Sequence, residues 1–369
     1  MKKKRLFIRL GLIVIAISIF GILATISSHK QFHNKKQKVY AILPLTGFAG
    51  QGGQLLQRMI NLYLIQNTNS HLEIVYLDSE ANPAKAITAL NQAIASDKEP
   101  LVISAYTAVS AAIIPLVESR GGYTFAVTTS GTTEISQNSK YQLFSYSPED
   151  YKLIADYVLK KYQHGVVVYS NDEYGFAGNT YFRKEYLSGN NECVSIPYQP
   201  SDSGVRETIQ KALDYKPDFI VVISSVTSKY IELFKQLKMM SYEGEIIADI
   251  VFSYPPIYSA LESLANGIVF MGLDVDLSYP LTKEGQQFRR LCVENGIPPY
   301  FAMVQAYDMM KAIDYCLDQK IPFSSKSILA SQHGFSGVIG DVKFTPDGIT
   351  HYPYILVRYE NGIISPANQ

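Results

Sequence analysis

Residues 38–78 read KVYAILPLTGFAGQGGQLLQRMINLYLIQNTNSHLEIVYLD, and this stretch determines the fold class. Its apolar start at 38–45 predicts a buried strand, the spacing of apolar residues over 51–66 predicts a helix, and residues 72–77 predict a second strand. Two strands joined by a helix form the repeating unit of a parallel sheet that carries helices on both faces. The stretch therefore predicts an α/β fold.

The alternation of strands and helices continues to residue 127 and starts again at residue 151. Further helices are predicted at 83–95 (with Asn82 as N-cap and Pro83 in its first turn), 108–118, 151–162, 179–187, 205–213 and 228–239. The strands predicted between and after them are 101–104, 123–127, 165–169, 192–196, 218–223, 244–248 and 267–271. Two runs of the same pattern predict two α/β lobes of similar build.

The tail of the chain has a different pattern. Helices are predicted at 284–294 and 300–317, and two apolar segments, 342–344 and 354–359, then flank the turn at 345–348. Because Thr-Pro-Asp-Gly is strong turn chemistry, we expect antiparallel, hairpin-like strands to end the chain.

The N-terminus is typical of an exported protein. Five basic residues among the first nine precede an apolar run at 10–26, which is the order of a secretory signal. The run has 17 residues, the lower limit for spanning a bilayer, and the cleavage site after it is poor. Residues 1–37 are therefore interpreted as a signal peptide or a retained membrane anchor with a polar tether. A lipid-modified cysteine is excluded, since the first cysteine is Cys193.

The charge of the chain is unevenly distributed. The formal net charge is zero, but residues 1–36 hold eight basic residues and no acidic ones, so the remainder carries a net charge of −8. An acidic body argues against nucleic acid as a partner, because phosphate binding needs clustered positive charge. The three cysteines are too few for a disulfide framework and fit core positions, although a pair between Cys292 and Cys316 is left open.

Motifs for catalysis, metal binding and phosphate binding are missing from the sequence. It contains no GxSxG, HExxH, GxxxxGK[ST] or CxxC pattern, and it has only six histidines. The glycine-rich loop at 47–53 lacks the spacing of a dinucleotide cradle. No cofactor and no metal are expected, and the protein is not expected to be an enzyme.

Two loops that follow predicted strands have the chemistry of a carboxylate site. Residues 127–134, VTTSGTTE, bring hydroxyls, a glycine and the N–H groups of the next helix to one strand end, and Thr107 lies in the equivalent loop after residue 104. An N-cap cluster without a ligand is the alternative interpretation of both loops.

Four segments together resemble the leucine/isoleucine/valine-binding family of periplasmic solute-binding proteins. They are ILPLTG at 42–47 with Gly53, DEYG at 172–175, YKPDFIVV at 215–222 and GFSGVIGDVKFTPDG at 334–348. With Tyr307-Asp308, the resemblance covers residues 38–360. It implies a Venus-flytrap fold in which two Rossmann-like lobes, joined by three crossovers, close on a ligand.

On this resemblance, residues 38–147 and 276–336 form the first lobe, and residues 148–275 and 337–369 form the second. It also implies a ligand site. Thr107 matches a carboxylate-contacting position, Thr129, Ser130 and Gly131 match the second carboxylate loop, and Tyr174 matches a tyrosine of the second lobe. An acidic residue that follows the strand at 244–248 accepts the ligand's ammonium group, and Asp249 is placed to do so.

The binding loops also depart from the family pattern. Gly52 stands where an aromatic residue is frequent, and Gly131 stands where a hydroxyl is common. The expected function is capture of a small polar ligand, such as an amino acid or a related compound, outside the cytoplasm for the permease of an ABC importer. The alternative is a ligand sensor or partner-binding protein of the same fold that has lost transport. An enzyme would need a Ser or Cys beside a His and a carboxylate in the cleft.

Overall fold

The computed structural model describes residues 36–129, 140–144, 150–187, 191–324, 336–344 and 348–367. The strands, in chain order, are β1 (Gln37–Leu43), β2 (Leu72–Asp78), β3 (Leu101–Ala105), β4 (Tyr123–Val127), β5 (Tyr141–Phe144), β6 (His164–Ser170), β7 (Glu192–Tyr198), β8 (Phe219–Ile223), β9 (Glu245–Ala248), β10 (Val269–Gly272), β11 (Ser336–Gly337), β12 (Gly340–Asp341), β13 (Lys343–Phe344), β14 (Ile349–His351), β15 (Ile355–Glu360) and β16 (Ile363–Pro366). The helices are α1 (Gly50–Gln66), α2 (Pro83–Ala93), α3 (Thr107–Ser119), α4 (Tyr151–Leu159), α5 (Glu173–Tyr186), α6 (Arg206–Asp214), α7 (Thr227–Met239), α8 (Pro255–Leu261), α9 (Lys283–Glu294) and α10 (Phe301–Asp318).

Two sheets of seven strands each organise the described residues. The first has the order β13-β14-β5-β4-β3-β1-β2, and the second has the order β16-β15-β10-β9-β8-β6-β7. In each sheet the central strands pair in parallel, and every antiparallel pair includes a strand from the tail. The strands β3, β4 and β8 are buried along their whole length, as parallel strands covered by helices must be. The predicted α/β fold of two Rossmann-like lobes is confirmed.

The prediction that the chain returns to the second lobe at residue 337 is wrong. β13 and β14 belong to the first sheet, where β14 runs parallel to β5, and the chain reaches the second sheet only at β15. The reason is packing: Phe344 sits against Phe144, with 6.0 Å between the ring centroids. Antiparallel strands do end the chain, but as three pairs of consecutive strands in the described residues, β11–β12, β13–β14 and β15–β16, rather than one. The other lobe boundaries stay predictions.

A close contact between strand and helix occurs at the same place in both lobes. A Cβ added at Gly53, in the first turn of α1, would lie 2.0 Å from the carbonyl oxygen of Pro44. A Cβ added at Gly175, in the first turn of α5, would lie 2.0 Å from the carbonyl oxygen of Ser170. Because only glycine fits at these two positions, each lobe can bring the start of a helix directly over the end of its first strand.

Local signals at two other places agree with the structure. The side chain of Asn82 accepts a hydrogen bond from the N–H of Lys85 at 3.1 Å, so the predicted N-cap of α2 is confirmed. The three cysteines, Cys193, Cys292 and Cys316, are buried free thiols, so no disulfide joins Cys292 to Cys316.

In the described residues, none of the helices combines the length and the hydropathy needed to cross a bilayer. The predicted signal or anchor at 10–26 lies outside the described residues.

Candidate functional site

A cavity of about 520 Å³ lies where the carboxyl ends of the two sheets face each other. The wall from the first lobe includes Phe48, which follows β1, and Tyr106, which follows β3. The wall from the second lobe includes Tyr174, Ser225 and Val251, which lie in the segments after β6, β8 and β9, respectively. This volume lies within the usual range of about 300–1,000 Å³ for small-molecule sites. Ligands of open α/β sheets bind beyond the carboxyl ends of the strands, which is the position of this cavity.

Five helices of nine or more residues begin at the cavity wall: α1, α3, α5, α7 and α10. The first N–H groups of a helix have no acceptor within that helix, and the helix dipole adds a partial positive charge there. The cavity is therefore surrounded by hydrogen-bond donors from both lobes. This arrangement favours an anionic or otherwise electron-rich group of a ligand.

Two of the residues predicted from the sequence line the cavity together. Thr107 is the first residue of α3 and belongs to the first lobe, whereas Tyr174 is in the first turn of α5 and belongs to the second. Both are mostly buried. The Tyr174 hydroxyl donates a hydrogen bond to Oδ2 of Asp249 at 3.0 Å, which ties this wall to the interior of the second lobe.

The predicted carboxylate loop lies only partly in the described residues. Thr129 is fully buried and is not among the lining residues; its hydroxyl is paired with Ser110 Oγ at 2.8 Å and donates to the Val127 carbonyl at 3.0 Å. Ser130 and Gly131 lie outside the described residues. The neighbour of Thr129, Thr128, does line the cavity, and its N–H donates to Gln305 Oε1 at 3.2 Å.

Asp249 does not face the cavity. It is the N-cap of the short 3-10 helix Ile250–Ser253, where its Oδ1 accepts the Val251 N–H at 2.9 Å, and this capping turns the carboxyl away from the cavity. The hydroxyls of Tyr230 and Tyr174 lie 2.5 Å and 3.0 Å from its two oxygens, and the side chain is 0% exposed. Burial raises the pKa of Asp249 to about 7, because a carboxylate without solvent is disfavoured. Asp249 is therefore neither in the cavity wall nor exposed to solvent.

Three tyrosines that the sequence analysis did not single out form much of the wall: Tyr106, Tyr254 and Tyr300. The rings of Tyr254 and Tyr300 are 5.3 Å apart. Each of the three residues directly precedes a helix. The signal that could have identified Tyr254 is Pro255-Pro256, which marks the start of α8.

Tyr106 also explains a departure from the family pattern. A Cβ at Gly52 would lie 2.8 Å from the Tyr106 hydroxyl oxygen, so the tyrosine occupies room that a larger residue at 52 would need. Tyr106 has φ +74°, a backbone conformation that costs free energy for any residue other than glycine. Strain of this kind is concentrated at functional sites, and here it lies in the cavity wall.

The charges at the cavity are few. Among the described lining residues there are two acids, Asp172 and Glu173, and no lysine, arginine or histidine. Asp172 is the N-cap of α5: its Oδ1 accepts from the Ser170 hydroxyl and the Gly175 N–H, each at 2.9 Å, and its Oδ2 accepts from the Ser225 hydroxyl. Three of its about four acceptor positions are therefore already in use. Glu173 is exposed.

Comparison with known structures shows the same fold at low identity. A leucine binding protein, LivK, from Thermotoga maritima is 17% identical, with a TM-score of 0.79 over 90% of this chain and 97% of that one. A solute binding protein from Rhodopseudomonas palustris, solved with benzoate, is 18% identical, with a TM-score of 0.77 over 90% and 95%.

An extracellular ligand binding receptor from Desulfohalobium retbaense is 21% identical, with a TM-score of 0.74 over 90% of this chain; this chain spans 59% of that receptor. A search of curated protein sequences finds no match. The model of the periplasmic binding protein family, however, matches residues 36–362. The family and the fold are those of solute-binding proteins and not of enzymes. The chain belongs to the periplasmic binding protein family.

Proposed function

We propose that this protein captures a small organic solute outside the cytoplasm and delivers it to the permease of an ABC importer. The observation that carries the proposal is the cavity of about 520 Å³ between the two lobes, which is lined by the starts of helices from both. A ligand held by both lobes stabilises a closed arrangement, because it makes contacts there that one lobe alone cannot provide. Closure also removes water and strengthens the hydrogen bonds to the ligand.

Thr107 and Tyr174 support the proposal as ligand contacts from opposite lobes. For Thr129 and Asp249 the support is indirect: both are buried behind the wall, where they hold wall residues in place. The family resemblance extends the proposal to Ser130 and Gly131. The amino-acid character that the resemblance implies depends on an acceptor for the ammonium group, and Asp249 is already occupied by other donors.

A thermal-shift screen of amino acids, amides, sugars and small carboxylates tests the proposal. A ligand that binds only the folded state adds about 2.7 kcal/mol at a concentration of 100 times Kd. For a domain of about 200 residues this corresponds to a rise in Tm of roughly 5–10 °C. If no compound of any class raises Tm at millimolar concentration, small-solute binding is refuted.

A pair of tryptophan variants tests whether the ligand binds in the cavity. Ser228 is exposed and lines the cavity, so Ser228→Trp fills the cavity without disturbing the core. Ser119 is also exposed, but it is the last residue of α3, whose first residues line the cavity. Ser119→Trp is therefore the matched control away from the cavity. We expect Ser228→Trp to abolish the ligand-induced shift and Ser119→Trp to retain it. Loss of the shift in both variants, or in neither, contradicts a site in the cavity.

The location is proposed from the N-terminal sequence together with the family. The basic residues and the apolar run at 10–26 support export, and the poor cleavage site favours a retained anchor. A reporter fused after Lys38 should be active outside the cytoplasm; activity only inside contradicts export. A mature N-terminus near residue 28 contradicts the anchor.

A further inference from the structure

Gln305 is a buried amide in α10 that makes a hydrogen bond at each end. The first six residues of α10 are all buried, and Gln305, at 0% exposure, is the polar one among them. Its Oε1 accepts from the Thr128 N–H at 3.2 Å, and its Nε2 donates to the Tyr354 hydroxyl at 3.2 Å. A backbone N–H can only donate, so this bond fixes the orientation of the amide. A buried amide is stable only where it has such partners, which makes both bonds essential to the position of Gln305.

The first partner, Thr128, is a strained residue of the cavity wall. It directly follows β4 and has φ +49°, in the left-handed region that a β-branched residue rarely adopts. A backbone in this conformation costs free energy and persists only where the surrounding contacts hold it. The bond from its N–H to Gln305 is one of these contacts. Gln305 therefore helps to set the shape of the wall.

The second partner, Tyr354, lies where the chain crosses from the first lobe to the second. β14 belongs to the first sheet and β15 to the second, and the three residues 352–354 join them. Pro353 fixes its own φ and restricts the residue before it, which leaves Tyr354 with the freest backbone of the three. Short connections of this kind absorb the changes in φ and ψ when two lobes rotate. A rotation of the lobes is therefore expected to move Tyr354.

We propose that Gln305 is a positioning residue that couples the cavity wall at Thr128 to the crossover at 352–354. Both of its bonds are made by one rigid amide plane, so movement of the Tyr354 hydroxyl reorients the amide and shifts or releases the Thr128 N–H. The coupling is reciprocal, because a change at Thr128 must alter the crossover by the same free energy. The inference goes beyond solute capture, since it identifies how the arrangement of the lobes sets the wall of the cavity.

Amide hydrogen exchange, followed by NMR on the purified full chain, tests the coupling without a ligand. Tyr354→Phe removes the hydroxyl that accepts from Gln305. We expect the Thr128 N–H to exchange about fivefold faster, the factor for the loss of one hydrogen bond. The Gly175 N–H, which donates to Asp172 in the wall of the other lobe, is the internal reference and should keep its rate.

Tyr352→Phe is the matched control, because it removes a hydroxyl from the same crossover. Within the described part of the chain, the Tyr352 hydroxyl lies close to Asp308 and makes no hydrogen bond to Gln305. We expect this variant to leave the exchange of the Thr128 N–H unchanged. An equal effect of the two variants, or an unchanged rate in Tyr354→Phe, overturns the inference.

Gln305→Met separates coupling from a merely structural role. Methionine has about the length of glutamine but no amide, so the substitution removes both bonds. In this background, Tyr354→Phe should have no further effect on the exchange of the Thr128 N–H, because the connection is already broken. The same effect in both backgrounds would show that Tyr354 acts on the wall by another route. If Gln305→Met does not fold, the two tyrosine variants still decide.

Spin labels report the arrangement of the lobes. Ser119→Cys in α3 and Lys235→Cys in α7 place one label on an exposed position of each lobe, and the native cysteines are buried. We expect Gln305→Met to raise the ratio of longer to shorter distances by about fivefold, again the factor for one hydrogen bond. An unchanged distribution overturns the link to the lobes. Neither measurement uses a ligand, so failure here leaves solute capture intact, and failure of the thermal-shift screen leaves the coupling intact.

Discussion

Replacing Asp249 tests whether this residue stabilises the fold or contacts the ligand. Its Oδ1 lies 2.5 Å from the Tyr230 hydroxyl, which also lies 2.9 Å from the Val222 carbonyl oxygen. The hydroxyl has a single hydrogen and cannot donate to both acceptors. When it donates to Val222, the contact with Asp249 requires a proton on the carboxyl, in agreement with the pKa of about 7 that burial produces. The neutral carboxyl is thus the form that satisfies every partner.

Asp249→Asn should therefore be tolerated and Asp249→Ala should not. The amide can keep its oxygen at Oδ1, where it accepts from Val251 and Tyr230, and point its NH₂ group toward the hydroxyl of Tyr174. The Tyr230 hydroxyl then no longer donates to Val222, so we expect a loss of about 1 kcal/mol in the free energy of unfolding, the value of one hydrogen bond. Alanine removes four hydrogen bonds from a site without solvent, from Val251, Tyr230, Tyr174 and, at 3.4 Å, Tyr151. At about 1 kcal/mol for each, the loss is about 4 kcal/mol. Urea unfolding at pH 7.5, followed by circular dichroism, measures both.

The same two variants test the role of Asp249 in binding. Since the carboxyl does not face the cavity, Asp249→Asn should change ligand affinity less than about threefold, or under 0.7 kcal/mol. Two results refute this reasoning. One is a loss of stability in Asp249→Asn that equals the loss in Asp249→Ala. The other is an intact fold with affinity lowered more than about tenfold, which would restore Asp249 as the partner of an ammonium group.

Three further predictions concern the stability of the protein. Burial raises the pKa of three aspartates to about 7: Asp249, Asp276 and Asp308. The pKa of an aspartate in the unfolded chain is near 3.9, so the stabilisation that these protonated carboxyls give the folded state is full below about pH 4 and is lost as pH rises through 7. We therefore expect the free energy of unfolding to fall between pH 5 and 8, by up to about 1.4 kcal/mol per pH unit for each group. Urea unfolding curves that show constant or rising stability over this range contradict the prediction. Gly53→Ala should lower the free energy of unfolding by about 2 kcal/mol or more in the same assay, because the added Cβ meets the Pro44 carbonyl oxygen. Gly204→Ala is the control and should not lower it, because the nearest neighbour of its added Cβ is 3.5 Å away. Equal effects of the two variants would show that the structure relaxes around the contact at Gly53. Thr129→Val should cost about 1–2 kcal/mol of stability by leaving Ser110 without that partner, and a loss of affinity at unchanged stability would instead make Thr129 a ligand contact.

Local sequence signals were sufficient for the fold class and for most of the elements, although β5 and α8 were among those not predicted. Alternating strand and helix periodicities predicted parallel strands in both lobes, and Asn82 with Pro83 predicted the start of α2. These features depend on contacts within a few residues or on the requirement that every apolar face be covered, so the sequence alone contains the information. Thr107 and Tyr174 reach one cavity for the same reason, because both follow strands whose carboxyl ends face it.

Other features were decided only by contacts between distant segments. The strands β13 and β14 join the first sheet because β14 pairs with β5 and Phe344 packs on Phe144. An acid after β9 could point toward the cleft or away from it. Asp249 points away because hydroxyls from α5 and α7 meet it in the interior of the second lobe. A buried carboxyl is stable only where such donors converge, and their convergence is a property of the folded chain.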